Sequence, residues 1–303
     1  MGLARLIAAL PQDFVLTLVD VGSAGGLHPR WHPFRPILSA ILFDPREAAA
    51  SGNLGPGRTR VYPVALSDRA GEAALQITAL ANMSSFLRPD PEIFGRFRNK
   101  GRDAAVVSAE TVPVDRLDTL ASADGIKPHV LKIDTQGSEL LVLQGAEESL
   151  KSVLLAEVEL SFFQRYVGQP LFADIEAWMN QRGFELIDLY RLKRYRAANQ
   201  LGIRQPLLGG GQRSGRVAYC DAIFLRKREA ILASAAEDQG ESLLRAMMAL
   251  LAYGKADHAA ALLDHGRDTL PPTQVAALRE ALAALNRRRF IGFLSRLTSR
   301  ARY

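Results

Sequence analysis

Residues 128–145, PHVLKIDTQGSELLVLQG, decide the fold. Val130, Leu131 and Ile133 make the short apolar run of a buried strand, after which Leu140, Leu141 and Leu143 shift to helical spacing. Between the two periods, Asp134-Thr135-Gln136-Gly137 is a polar turn that glycine allows to be tight. An acid therefore stands at the carboxyl end of a strand that feeds a helix, the edge at which open α/β sheets bind ligands. Taken alone, Asp134 is explained equally well as a loop carboxylate or a helix cap. The flanking chain supplies the context.

Upstream, residues 3–10 read as a short helix stopped by Pro11, and 14–19 as a strand. The strand ends in Asp20-Val21-Gly22-Ser23-Ala24-Gly25-Gly26, whose small residues let backbone approach a ligand. An ordinary tight turn accounts for that run equally well. Residues 36–43 form a second apolar strand ending at Asp44-Pro45, which puts a second acid 24 residues after the first. Nucleotide-binding βαβ units set a carboxylate against ribose hydroxyls at about this spacing. A carboxylate suits the task because it accepts two hydrogen bonds from a vicinal diol.

A third strand is expected over 61–66, ending in Ser67-Asp68, with a short extra strand over 74–77 and strand-like alternation over 112–117. Asn82-Met83-Ser84-Ser85-Phe86 is either a loop or ligand-facing. Residues 87–103, with Arg88, Arg96, Arg98, Lys100 and Arg102, read as a solvated loop and helix in preference to an anionic-substrate site.

Downstream, 153–160 is the fifth core strand. Its Glu157 and Glu159 share one face, which is unfavourable unless they meet a polar site or a cation. A helix over 172–182, a strand over 184–189, a basic glycine-rich link over 191–216 and a closing strand over 217–225 follow. The chain then changes character. Ala- and Leu-rich helices over 241–253, 257–268 and 273–285 read as a cap or protein-contact module, since one helical hairpin cannot make a repeat array. In the last segment Phe290, Phe293, Leu294 and Leu297 fall on one helical face with Arg289, Arg296 and Arg300 off it. That pattern fits a helix lying on an anionic membrane surface and fits a frayed, solvated terminus equally.

At 303 residues, 48% hydrophobic and 23% charged, the chain has the composition of a soluble globular protein able to bury a sizeable core. Cys220 is its only cysteine, so there is no disulfide framework and no cysteine-based zinc site, which fits a reducing, cytoplasmic compartment. No secretory leader is recognisable at the start, and no apolar run is long enough to span a bilayer. The net charge of +6 belongs to residues 281–303, which carry six arginines and no acid, so the first 280 residues are formally neutral. Nucleic acid is therefore not the expected substrate.

In this order the pieces resemble the FkbM family of S-adenosylmethionine-dependent methyltransferases. The resemblance rests on Asp20-Val21-Gly22-Ser23, Asp44-Pro45, Ala65-Leu66-Ser67-Asp68, Ser84-Ser85, Arg116-Leu117-Asp118 and, most specifically, Leu131-Lys132-Ile133-Asp134-Thr135-Gln136-Gly137-Ser138-Glu139. Glu159-Leu160-Ser161-Phe162, Tyr166-Val167-Gly168-Gln169-Pro170, Gly183-Phe184 and Asp221-Ala222-Ile223-Phe224 extend it, so that it covers about residues 14–226. The chain departs from the family pattern at Ala24 and Gly25, and Asp44 stands where Glu is commoner.

The resemblance implies an α/β, Rossmann-like class I methyltransferase sheet, seven-stranded and mostly parallel with helices on both faces. The expected strand order is 3-2-1-4-5-7-6, with the last strand antiparallel. It divides the chain into a methyltransferase domain over 1–229 and a helical extension over 230–303. It places Asp20, Gly22, Ser23, Gly26, Asp44, Ser67, Asp68, Ser84 and Asp134 around S-adenosylmethionine, with no metal site. Asp134 would orient or deprotonate an acceptor hydroxyl, helped by Glu139 or Glu159, with His28 and His32 as alternative bases. Lys132 reads as a sheet residue paired with a carboxylate. The acidic set Asp134, Glu139, Glu157 and Glu159 has no spacing that demands a divalent ion.

The expected reaction is O-methylation of a sugar or glycan, a glycolipid or a secondary metabolite. Residues 281–303 would offer peripheral contact to the inner membrane face or to a protein partner. A catalytically inactive scaffold is the alternative, since fold alone does not exclude it. A nicotinamide-dependent oxidoreductase is disfavoured, because the first turn lacks G-x-G-x-x-G.

Overall fold

The computed structural model describes residues 2–48, 54–204 and 213–285. Its strands, in chain order, are β1 (Leu16–Val21), β2 (Leu38–Phe43), β3 (Arg58–Tyr62), β4 (Ala65–Leu66), β5 (Gly71–Thr78), β6 (Val106–Asp115), β7 (Val130–Ile133), β8 (Leu155–Ser161), β9 (Phe184–Tyr195) and β10 (Arg216–Arg226). Seven of them form one sheet in the order β3-β2-β1-β7-β8-β10-β9. Numbered within that sheet the order is 3-2-1-4-5-7-6, as expected. β10 runs antiparallel to both neighbours, and the other described pairings are parallel. Every residue of β2 and β8 is buried, as strands covered on both faces must be.

The helices are α1 (Gly2–Ala8), α2 (Pro91–Gly95), α3 (Lys100–Asp103), α4 (Leu117–Asp124), α5 (Glu139–Gln144), α6 (Phe172–Gln181), α7 (Arg228–Glu237), α8 (Glu241–Ala252) and α9 (Ala256–Gly266). Residues 272–285 are also helical. One face of the sheet, with Val19, Ile41, Leu131 and Val158, packs on α4, α5 and α6 through Leu117, Val142, Leu143, Ile175 and Met179.

The opposite face is covered differently. The β1–β2 crossover holds only a 3₁₀ stretch, Pro29–Ile37, whose Pro33 and Pro36 exclude an α-helix. Leu18, Ala40, Val130 and Leu155 therefore pack on Trp31 and Phe34 of that stretch, on Leu6 of α1, and on Leu243, Met247, Leu262 and Leu278 from the C-terminal helices. The late helices share one continuous core with the sheet. Each large side chain buried there is worth roughly 1.5–3 kcal/mol of gross hydrophobic stabilisation.

Several sequence expectations need correction. The strand expected over 61–66 is two strands in different sheets. β3 ends at Tyr62, Pro63 interrupts the ladder because it has no N–H to donate, and β4 joins a small sheet of order β4-β6-β5. The strand expected to run to Leu117 ends at Asp115, and Leu117 opens α4. β9 runs on to Tyr195 and shortens the expected link, and α7 was not anticipated. The face of Phe290, Phe293, Leu294 and Leu297 lies outside the described residues. Among those that are described, no helix is long and apolar enough to cross a membrane.

Candidate active site

A cleft of about 910 Å³ opens at the carboxyl ends of β1, β2, β7 and β8. Asp20, Gly22, Ser23, Gly26, His28, Asp44, Ser84, Asp134 and Glu159 all line it. Residues drawn from across the sequence are thus brought to one cleft. Ser67 and Asp68 are not in that lining: their side chains hydrogen-bond each other at 3.0 Å, and Ala65 and Leu66 take the wall position. Glu139 is also absent from it, and His32 is exposed elsewhere.

The first turn is shaped by contact with β7. Gly22 has φ +78°, and a Cβ there would lie 2.0 Å from the Asp134 carbonyl oxygen, so no other residue fits without moving the loop. Its N–H donates to the Phe43 carbonyl at 2.9 Å, tying the turn to the end of β2. Next to it the Ser23 hydroxyl is buried with no hydrogen-bond partner among the described residues. Buried hydroxyls are rarely left so, and Ser23 is one of the residues that line the cleft. Asp44, also buried, accepts the Arg46 N–H at 2.9 Å on Oδ1; no described residue hydrogen-bonds Oδ2. Asp20 reaches the cleft already paired with Lys132 at 2.8 Å. Burial raises the Asp20 carboxyl above its usual range despite that ammonium. The pairing of Lys132 is the one its strand position suggested.

The loop after β7 is held under strain. Gln136 adopts φ +57° and Gly137 φ +120°. A glutamine in the left-handed region persists only where its surroundings hold it there. Two sets of bonds do so. Glu139 turns away from the cleft and accepts from the N–H groups of Thr135 (3.0 Å) and Gly137 (2.9 Å), which makes it the brace of the turn. The Gln136 amide donates to Asp134 at 2.8 Å and to Glu159 at 3.1 Å, and so fixes where both carboxylates point.

Glu157 and Glu159 each meet a guanidinium, as their shared face requires. Arg165, fully buried, donates to Glu159 at 2.6 Å and to the Ser161 hydroxyl at 2.9 Å, and its guanidinium lies 4.3 Å from the Tyr219 ring centroid. Burial, with Asp134 close by, raises the Glu159 carboxyl well above the carboxylate range against the pull of Arg165. Glu157 accepts from Arg30 at 2.9 Å and from the Tyr190 hydroxyl. Asp134, Glu139, Glu157 and Glu159 are therefore all engaged, Asp134 and Glu159 sharing the Gln136 amide.

His28 accepts the Arg30 N–H at 3.2 Å, and Arg191 lies 3.0 Å from its other ring nitrogen. Burial and these two guanidiniums lower its pKa, which disfavours the imidazolium that a general base must become. Asp221, on the same wall, is raised to about 6 by burial and by Glu157 and Asp134, against Arg191 and Lys132.

Sequence reasoning did not single out Arg30, Arg165, Arg191 or Asp221 as site residues. The available signal was indirect. Two glutamates on one strand face demand cations, but nothing in the local sequence says which arginines supply them.

The family model for the methyltransferase FkbM domain matches residues 35–186, half of the chain. The chain belongs to the FkbM methyltransferase family. One solved structure, methyltransferase FkbM from Methylobacillus flagellatus KT, is similar at 11% identity and a TM-score of 0.35, covering 71% of this chain. This chain spans 44% of that one. No curated protein matches. The matched segment holds Asp44, the 134–139 loop, Glu157, Glu159 and Arg165; the first turn and the C-terminal helices lie outside it.

Proposed function

We propose that this FkbM-family methyltransferase transfers a methyl group from S-adenosylmethionine to a hydroxyl of a sugar, glycolipid or secondary metabolite. The residues present suit that cofactor. The unpartnered Ser23 hydroxyl, the open oxygen of Asp44 and the glycine-formed turn at 22–26 are groups that would hold its amino-acid and ribose portions. When bound, it supplies an electrophilic methyl carbon on a good leaving group. The protein then has to align the acceptor oxygen and take its proton.

The observation that carries the reading is the Asp134 carboxylate, held by Gln136 in the lining of a cleft that also offers Asp44 and Ser23. Asp134 accepts or orients the acceptor proton. Glu159, joined to it through the same amide, sets its orientation. Arg165 positions Glu159 without reaching the cleft itself.

The test is Asp134→Asn with S-adenosylmethionine and a panel of hydroxylated acceptors. Turnover is expected to fall by roughly 10²-fold or more while cofactor affinity stays within about threefold. Undiminished turnover would remove Asp134 from the reaction.

A further inference from the structure

A second concavity adjoins the cleft beyond Lys100, Lys193 and Tyr195, which line both. Its walls carry Arg98, Lys100, Lys193, Arg194, Arg196, Arg204 and Arg213 and no acid. A third hollow continues along Arg98, Arg102 and Arg204, again without an acid. The formal neutrality of the first 280 residues thus conceals a strongly basic groove leading out of the candidate active site.

The cations in it are held in register, and most of them have no counter-charge among the described residues. Arg98 donates its N–H to the Arg196 carbonyl and Ala198 donates to Arg96, each at 2.9 Å, which fixes residues 96–98 against 196–198. Lys100 pairs with Asp103 at 3.1 Å. Arg98, Lys193, Arg196, Arg204 and Arg213 have no carboxylate partner among the described residues, and the undescribed segments contain no Asp or Glu. Like charges fixed beside one another repel, and a bound anion relieves that repulsion. Guanidinium groups recognise carboxylate, sulfate and phosphate through paired N–H donors.

The groove does not have the form of a single-stranded nucleic-acid site. Its aromatic, Tyr195, is buried among Phe94, Phe97, Phe163 and Tyr219 and offers no open face for stacking bases.

We propose that the methyl acceptor is an acidic saccharide, whose charged units lie along this groove while its reacting hydroxyl reaches Asp134. The inference deepens the methyl-transfer reading and rests on it. Residues 87–103, which the sequence presents as solvated, contribute one wall.

The experiment measures binding to the full-length chain of hexagalacturonate (carboxylates), a heparin-derived hexasaccharide (sulfates), neutral maltohexaose, a twelve-residue oligothymidylate and S-adenosylmethionine. It uses the wild type and an Arg98→Glu/Arg196→Glu/Arg204→Glu variant, whose three positions are exposed. At least one acidic saccharide is expected to bind the wild type about tenfold or more tighter than maltohexaose, and to lose that margin in the variant and at about 250 mM salt. S-adenosylmethionine affinity is expected to be unchanged by the substitutions. Equal binding of acidic and neutral saccharides, equal binding by the two proteins, or oligothymidylate binding more tightly than either acid would overturn the proposal. If neither protein bound S-adenosylmethionine but the acidic-saccharide pattern held, the methyl-transfer reading would fall and the groove would stand.

Discussion

The two ends of the cleft are built on opposite principles. At the β1–β2 end the wall is backbone and small side chains: Gly22 pressed on the Asp134 carbonyl, Ser23 with a spare hydroxyl, Asp44 with a spare oxygen. At the β8–β10 end nearly every polar group is already engaged, with Glu159 on Arg165 and Gln136, Glu157 on Arg30 and Tyr190, and Asp221 near Arg191. Spare hydrogen-bonding capacity suits a ligand of fixed structure held by a few directed contacts. A prepaired, low-dielectric network suits the holding of carboxylates at set positions and proton affinities. On the proposed reading, that difference would put the cofactor at one end and the chemistry at the other.

The sharpest way to break that division is Gly22→Ala. The added methyl meets a backbone oxygen and the positive φ resists any side chain, so the turn must rebuild. A loss of about 5 kcal/mol or more of stability is expected in denaturant titration, together with loss of cofactor binding. A folded variant that still bound cofactor normally would show that the close approach of turn and loop is dispensable.

At the other end, Arg165→Met leaves Glu159 buried without its cation. That should cost about 3–5 kcal/mol, and adding Glu159→Leu should restore much of it, because an apolar pair replaces an ion pair better than half a pair does. Retained cofactor affinity in the folded fraction would sharpen the contrast between the ends.

A smaller effect is expected at Asp221. Its folded pKa, about 6, lies above the ordinary 3.8, so the native state binds this proton more tightly than the unfolded chain does. Its stabilising increment is present at low pH and is lost as pH rises from about 4 to about 6. Asp221→Asn should remove that slope and raise stability at neutral pH by on the order of 1–3 kcal/mol. Superimposable pH–stability curves would show that the carboxyl is not held in a raised state.

The same contrast explains what the sequence made legible. The strand order, the glycine turn, and the acids at the ends of β1, β2 and β7 come from local signals: a period shift from strand to helix, small residues after an apolar run, an acid before proline. That Lys132 pairs with some carboxylate could be expected because a charged residue inside an apolar strand needs a counter-charge, although its partner Asp20 lies 112 residues away on the neighbouring strand β1. Arg30 could not be assigned to Glu157, because that pair closes over 127 residues of chain; Arg165 lies only 6 residues from Glu159, but nothing in the spacing says that its side chain folds back from beyond the end of β8. Glu139 shares a motif with Asp134, and spacing alone does not say that its carboxylate turns back to the Thr135 and Gly137 amides.

The C-terminal helices were readable as helices by composition. Their place over the sheet became evident only with the proline-rich β1–β2 crossover, which leaves that face without an α-helix of its own. The basic groove was hidden for a simpler reason. Summed charge over a segment carries no information about where on the surface the charges gather.

The most direct test is calorimetric titration with S-adenosylmethionine and, in parallel, NADH, using the wild type and Asp44→Ala. The account predicts near-stoichiometric binding of S-adenosylmethionine to the wild type, no binding of NADH, and affinity lowered by roughly tenfold or more in Asp44→Ala, as expected for losing hydrogen bonds to a charged group. Binding of NADH in preference, or no binding of S-adenosylmethionine by a folded wild-type chain, would contradict it.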